Sequence, residues 1–435
     1  MLLLVLLAGA GLGAQTALPL KFDVGVGPLA KGFLAVADTT LYTPERGFGL
    51  ISEAPVRSVR RSGKDALTGD FLTSDVPFYF VVDLPEGHYD VTLTLGDPEG
   101  ESQTTVKAES RRLMLEGLRT EPGRPTSVTF TVNVRTPRID TTETIRLKSR
   151  ELGYLNWDQQ LTLEFNGPRT CVSAIEIRRA VDPVVVYLAG NSTVTDQENE
   201  PWASWGQMLP RFLQRGVSVA NYAESGEALR SFVAEKRLDK IASLIKAGDY
   251  LFVEFAHNDQ KSGSAHVEPF TTYQEELRRF IGVARERGAT PVLVTSMHRR
   301  NFDADGKIVN TLGDYPEAMR QLARAEGVAL IDLNAMSKQF YEALGPEASK
   351  QAFVHYPAGA FPGQREALAD NTHFNPYGAY TLARCVLLGI RANDLDLVKY
   401  FRDDVEPFDP ARPDPADAWH WPASLNANAR KPDGN

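Results

Sequence analysis

The hydrophobic pattern of this chain changes its period once, near residue 180, and that change limits it to two kinds of sheet in succession. From about residue 20 to residue 180 apolar residues alternate with polar ones. In "YDVTLTL" Tyr89, Val91, Leu93 and Leu95 share one face while Asp90, Thr92 and Thr94 share the other. "SVTFTVNV" gathers Val128, Phe130, Val132 and Val134 in the same way. Strict alternation marks strands with one buried and one wet face, the pattern of antiparallel sheets. An antiparallel β-sandwich is therefore predicted over residues 16–180. "FYFVVDLPEGHYDVTL" holds two such runs split by a Pro-Glu-Gly turn, and this spacing predicts a hairpin.

Beyond "RRAVDPV" the alternation stops. Five short runs, "VVVYLA" (184–189), "VSVANY" (217–222), "YLFVEF" (250–255), "PVLVTS" (291–296) and "ALIDL" (329–333), are apolar on both faces, and each is followed by a stretch with helical spacing. Continuous apolar strands alternating with helices predict a parallel sheet covered on both sides, an α/β domain over residues 184–395. The clearest helix spans 272–287, with Tyr273, Leu277, Phe280, Ile281 and Ala284 as its apolar stripe, a capping box from Thr272 to Glu275, and Gly288 at its end. Another starts where Asn375 can cap and Pro376 suits the first turn. Residues 396–435 are too rich in proline for regular structure and read as an extended tail docked through Trp419 and Trp421.

Charge and targeting narrow the partners. A formal net charge of -9 without clustered Lys and Arg gives no basis for binding nucleic acid or an anionic membrane. No later segment approaches the roughly 20 apolar residues that a membrane helix needs. Residues 1–15 resemble a secretory signal peptide, with an apolar core from Leu2 to Leu7 followed by small residues, although no basic residue precedes that core. A secreted or periplasmic location is expected. Cys171 and Cys385 stand in no metal-ligand spacing; buried free thiols and an interdomain disulfide are both open readings.

Ligands of open parallel sheets bind at the carboxyl ends of the strands, so the residues that follow each strand are the site candidates. They are Ser192 in "GNST", Gly226 in "AESGEALRS", His257, Asn258 and Asp259 in "AHNDQ", His298, Arg299 and Arg300 in "MHRR", and Asp370 with His373 in "DNTHFNP". This set is what acyl transfer requires. Ser192 can attack, His373 can take its proton, and Asp370 can hold the imidazole. The N–H groups of Ser192 and Gly226 and the amide of Asn258 can donate to the oxyanion. Asp370 and His373 are expected on one tight loop, braced by the helix start at Asn375. His298, Arg299 and His355 are candidate substrate contacts, Arg299 for a carboxylate. His257 and Asp259 are expected to fix their loop, and Trp202 and Trp205 to pack.

These blocks resemble those of the SGNH (GDSL-type) hydrolase superfamily. "NSTVTDQ", "PWASWGQMLPRF", "FAHNDQK" and "DNTHFNPYGA" are similar, more narrowly, to its rhamnogalacturonan acetylesterase group, over about residues 184–392. The resemblance implies a three-layer α/β/α, flavodoxin-like domain with a five-stranded sheet. It also implies a Ser192, Asp370 and His373 triad, an oxyanion hole of Ser192, Gly226 and Asn258, and no metal or other cofactor. The β-sandwich resembles galactose-binding-like modules that accompany such esterases. Asn191 departs from the family's usual Gly-Asp-Ser block, keeping the carbonyl acceptor but losing the charge.

The implied activity is removal of O-acetyl groups from plant cell-wall polysaccharide, acetylated rhamnogalacturonan (pectin) first and acetyl-xylan second. Two other readings are open. A lipid or long-chain acyl ester hydrolase would need an apolar trough, whereas "TVTDQENEP" and "NDQKSGSAHVEP" are polar loops. A carbohydrate-binding protein with an inactive esterase-like domain would draw on Asn191. The oligomeric state and the ligand of the sandwich are not legible.

Overall fold

A computed structural model describes residues 18–61, 65–425 and 431. The segment read as a signal peptide lies outside these. Among the described residues, the sandwich pairs a sheet ordered Thr126–Val134, Gly87–Leu95, Val172–Arg179, Leu20–Val24, Leu34–Val36, extended by Arg57–Arg60 and Asp70–Thr73, with a second sheet. That second sheet runs Phe48–Ile51, Phe78–Asp83, Gln160–Arg169, Ser102–Ala108, Arg112–Thr120. The faces follow the alternation: Tyr89, Val91, Leu93 and Leu95 are fully buried, and Phe130, Val132 and Val134 join them opposite Phe80 and Leu163.

The predicted hairpin is a correction. Phe78–Asp83 pairs with Phe48–Ile51 and Gln160–Arg169, whereas Gly87–Leu95 pairs with Thr126–Val134 and Val172–Arg179. The Pro-Glu-Gly segment carries the chain from one sheet to the other. Both strands bury an apolar face, and facing one another across the core satisfies that pattern as well as pairing side by side would.

The second part is a doubly covered parallel sheet. Its strands are β1 (Val184–Gly190), β2 (Val217–Asn221), β3 (Tyr250–Glu254), β4 (Thr290–Val294) and β5 (Ala329–Ile331), ordered β2-β1-β3-β4-β5. Alternate residues feed two cores. Val186, Leu188, Phe252 and Val292 pack under the helix Pro376–Ala392, while Val185, Tyr187, Leu251 and Leu293 pack against Gln274–Glu286 and Tyr315–Glu326. Burial on both faces explains why the strands lack alternation.

The helix with the predicted stripe buries Leu277, Phe280, Ile281 and Ala284, but it starts at Gln274 after a wide turn at Pro269–Tyr273. The expected Thr272 capping box is absent, because Thr272 Oγ1 accepts from the N–H of Glu268 instead. Asn375 does cap, its side chain accepting from the N–H of Gly378 at 3.0 Å. Cys171 and Cys385 are buried and free, which resolves the thiol question against a disulfide. Among the described residues, no helix is long and apolar enough to cross a membrane.

The two parts are joined by buried charges. The turn between Ser102–Ala108 and Arg112–Thr120 carries Arg111 into the α/β domain. Arg111 pairs with Glu200 at 2.6 Å and donates to the carbonyls of Gln197 and Trp202 at 3.0 and 2.9 Å. Arg112 and Arg135 meet Asp196 at 3.3 and 3.5 Å. The tail closes the seam. Trp421 Nε1 donates to Glu200 at 2.8 Å, and the buried Lys107 Nζ donates to Pro422 O at 2.6 Å while lying 3.9 Å from the Trp421 ring centre. Trp419 docks as well, through Glu116 Oε1 at 2.5 Å.

Removing one partner of a buried pair leaves an uncompensated charge, which costs about 3–5 kcal/mol. Arg111→Ala is accordingly expected to lower the urea midpoint by an amount equivalent to that loss. A change below about 1 kcal/mol would rank the pair with weak surface ion pairs.

Candidate active site

β1 ends at Gly190, and the chain turns sharply into Asn191 and Ser192. A Cβ at Gly190 would come within 2.5 Å of Val194 Cγ2 and 2.8 Å of its Cβ, so glycine is required for the turn to fold back on itself. Asn191 Oδ1 accepts from the N–H of Thr193 at 3.1 Å and from Thr193 Oγ1 at 2.8 Å. The acceptor role expected of the Asn-for-Asp exchange is thus present. Behind this turn Glu254, at the end of β3, is fully buried and accepts from Ser296 Oγ and Trp205 Nε1 at 2.9 and 2.8 Å, while Thr193 Oγ1, 3.1 Å away, shares its one hydrogen between this carboxyl and Asn191 Oδ1.

Burial pushes the Glu254 carboxyl up from 4.5 to about 7 against those three donors. A folded pKa raised above the unfolded one gives stability that is complete below the unfolded value and lost as pH rises through the folded one. Glu254→Gln, which never ionises, is expected to gain stability relative to the native chain as pH rises from about 5 to about 8, by up to about 3 kcal/mol. Thermal unfolding of both proteins across that range measures it. A difference that is flat with pH would contradict the assignment.

Ser192, His373 and Asp370 form one hydrogen-bonded relay. Ser192 Oγ lies 2.9 Å from His373 Nε2, and His373 Nδ1 lies 2.7 Å from Asp370 Oδ2. All three are buried, Ser192 being 4% exposed. Asp370 Oδ1 accepts from the N–H groups of Thr372 and His373 at 2.8 and 3.0 Å. Burial alone would raise the Asp370 carboxyl, but the His373 contact and these two N–H groups outweigh it and hold the group well below the usual carboxylate range. Asp370 and His373 do not sit on a loop, as expected, but on a strand, Leu368–Phe374, paired with Phe353–Tyr356. A register shift between Phe353 and Val354 bulges that strand, and the bulge aims Asp370 and His373 together.

Gly226 adopts φ +83°, a conformation that favours glycine. Asn258 Nδ2 donates to Glu227 O at 2.9 Å, which leaves its second amide hydrogen available. Both residues line one cavity. Asp259 fixes this loop, its Oδ1 accepting from the N–H of Leu229 at 2.8 Å. His257 is buried beside the relay, and burial followed by the Arg299 charge holds it well below its ordinary value, hence neutral.

The remaining candidates separate. Arg299 stays near the relay: its side chain reaches His257 O at 3.4 Å and its charge is felt by Asp370. His355 Nε2 and Arg300 Nη1 both bond to Asn371 Oδ1, at 2.8 and 2.9 Å, and so brace the bulge between Asp370 and Thr372. His298 is not brought to the relay. It is 5% exposed, its N–H donates to Ser337 Oγ, and burial followed by Lys338 and Arg320 lowers its ring to about 4. Trp202 and Trp205 are buried, and Trp157 packs at the domain interface, 6.0 Å from Tyr222 between ring centres.

Sequence reading gave no role to Gln197. Its Nε2 donates to Ser192 O at 2.6 Å and reaches Ser225 Oγ at 3.5 Å, linking the Ser192 turn to the Gly226 loop. Its own carbonyl accepts from Arg111 of the sandwich and from Gln207. Only its place five residues after Ser192 in "NSTVTDQ" could have marked it.

The model of the GDSL-like lipase/acylhydrolase family matches residues 188–379. The β-agarase/YXIM esterase-like, galactose-binding domain-like model matches residues 20–119. Rhamnogalacturonan acetylesterase RhgT of Bacillus subtilis is 46% identical over 217 residues, which is 49% of this chain and 93% of that protein. The probable rhamnogalacturonan acetylesterase YesY of the same organism is 36% identical over 217 residues, 49% of this chain and 95% of its own. A third B. subtilis protein, the uncharacterized esterase YxiM, is 27% identical over 377 residues and shares 84% of this chain, sandwich included, and 88% of its own. The chain belongs to the GDSL-like lipase/acylhydrolase family and is a carboxylic ester hydrolase.

Proposed function

We propose that the protein is a carbohydrate acetylesterase that removes O-acetyl groups from plant cell-wall polysaccharide, acetylated rhamnogalacturonan ahead of acetylated xylan. The observation that carries this reading is the Ser192–His373–Asp370 relay, with contacts of 2.9 and 2.7 Å. It stands in a domain 46% identical to a rhamnogalacturonan acetylesterase. Ser192 Oγ attacks the acetyl carbonyl while His373 Nε2 takes its proton, and Asp370 stabilises the imidazolium that forms. The N–H groups of Ser192 and Gly226 and the Asn258 amide donate to the oxyanion. His373 then passes the proton to the departing sugar hydroxyl, and water repeats the sequence on the acetyl-serine.

The walls near Gly226 and Asn258 carry Lys148, Arg150, Ser225 and Lys261. Such polar walls disfavour a long acyl chain, and the complete relay disfavours an inactive binding protein. The apolar run Leu2–Leu7 supports export of the mature chain. Acetate release should be compared on acetylated rhamnogalacturonan, acetylated xylan, and short- and long-chain p-nitrophenyl esters. Release from rhamnogalacturonan above xylan, and from acetyl above long-chain esters, is expected. A preference for long-chain esters would overturn the carbohydrate reading.

A further inference from the structure

The sandwich reaches the active site a second time, at the Ser225–Gly226 loop. Between the strands Thr126–Val134 and Gln160–Arg169 the chain leaves the sandwich on an excursion that carries Lys148 and Arg150. Lys148 Nζ donates to Ser225 O at 3.0 Å, and Arg150 Nη2 donates to the same oxygen at 2.6 Å. Both therefore stand beside Gly226. With Gly226, Asn258, Lys261 and Ser264 they line a cavity of about 440 Å³, in the range of ligand pockets, which run roughly 300–1,000 Å³.

Among the described residues, the charged side chains that line this cavity are three cations, Lys148, Arg150 and Lys261. Carboxylates outside the lining touch two of them: Glu227 and Glu235 pair with Lys148, and Glu224 pairs with Arg150 at 2.8 Å. Glu224 is itself buried, and burial raises its carboxyl. Lys261 is lowered from the ordinary lysine value by burial and then by two further cations, Arg299 and Lys431. Lys431 Nζ lies 3.9 Å from Asp370 Oδ2, which places one more positive charge at the mouth of the relay. The side chains of Lys148 and Arg150 are 24% and 18% exposed, shielded enough for their charges to act at short range and open enough to meet a ligand.

We propose that Lys148 and Arg150 of the β-sandwich, with Lys261 of the α/β domain, form a subsite for the carboxylate of an acidic sugar next to the acetyl ester being cleaved. The inference rests on the acetylesterase reading. It gives the sandwich a direct part in substrate recognition: a uronate in this cavity lies against the oxyanion residues Gly226 and Asn258, so binding of the acid group orients the ester. A planar guanidinium already fixed by Glu224 and Ser225 O loses little freedom when it pairs with a carboxylate.

The test uses the full chain and one acetylated rhamnogalacturonan oligosaccharide in two forms, with its carboxylates intact and with them reduced to alcohols. The native protein is expected to show a kcat/KM about tenfold or more higher on the acidic form, the scale of one charge-assisted hydrogen bond. Lys261→Met and Lys148→Met should each bring that ratio toward one, and Lys261→Arg should retain it. Equal kcat/KM on the two forms by the native protein would overturn the subsite while leaving the acetylesterase reading intact. So would a ratio that survives both Met variants while their overall rate falls, because the lysines would then only hold the Ser225–Gly226 loop. A native protein inert on both oligosaccharides but active on p-nitrophenyl acetate would overturn the carbohydrate reading and the subsite with it.

Discussion

Ser192→Ala is expected to remove essentially all turnover, a fall in kcat on the order of 10⁶, with the fold unchanged. The substitution deletes one oxygen from a residue that is 4% exposed, and the N–H groups of the turn keep their bonds to Asn191. Loss of the nucleophile in a relay of this kind costs about as much as loss of the whole relay, because the members act as a unit. Substrate affinity should persist, since the proposed oxyanion and carboxylate contacts are made by other residues. Single-turnover acetate release together with isothermal titration of the oligosaccharide separates the two. A variant that keeps even one hundredth of native kcat would assign the attack to another group.

Asp370→Asn is expected to lower kcat by about 10⁴ while KM changes little. Asp370 Oδ1 is committed to the N–H groups of Thr372 and His373, so an asparagine keeps its carbonyl oxygen there and turns its NH₂ toward His373 Nδ1. That arrangement places the ring proton on Nε2, the atom facing Ser192 Oγ, where it blocks uptake of the serine proton. Steady-state kinetics on p-nitrophenyl acetate measures the effect. A rise in KM with kcat preserved would mean that Asp370 serves binding and not the proton relay.

The layered architecture was legible because it rests on period alone. Strands buried on one face alternate, as Tyr89 to Leu95 do, and strands buried on both do not, as Val184 to Ala189 do not. Pairing was less legible. The segment between Asp83 and Gly87 has turn residues whether it closes a hairpin or crosses between sheets, and only the partners of each strand decide which. Thr272 and Glu275 had the spacing of a capping box, but Pro269 brings a wide turn first and diverts the Thr272 hydroxyl to Glu268.

At the site, Ser192, Asp370 and His373 could be found because each follows a strand or precedes a helix with clear signals. The bulge that aligns the last two depends on pairing with Phe353–Tyr356, which leaves no trace in their own spacing. His298 also follows a strand, yet it is taken by the helix Leu333–Ala348, whose packing local sequence does not report. Arg111, Lys148 and Arg150 act across the domain seam. Their partners are 86, 77 and 75 residues away, and contacts at those separations carry no periodic signal.

Arg111 holds the segment after Ser192, and Lys148 and Arg150 hold the segment before Glu227, so the sandwich grips the loops that follow β1 and β2. The α/β domain is thereby braced by the sandwich at the two places where these loops leave the sheet.

We propose that acyl transfer passes through Ser192. Native protein turning over an acetylated oligosaccharide should be quenched in acid within one turnover, digested and analysed by mass spectrometry. An acetyl group on the peptide containing Ser192, absent from Ser192→Ala, is the expected result. An acetyl group on another residue, or none on the protein while acetate accumulates, would contradict it.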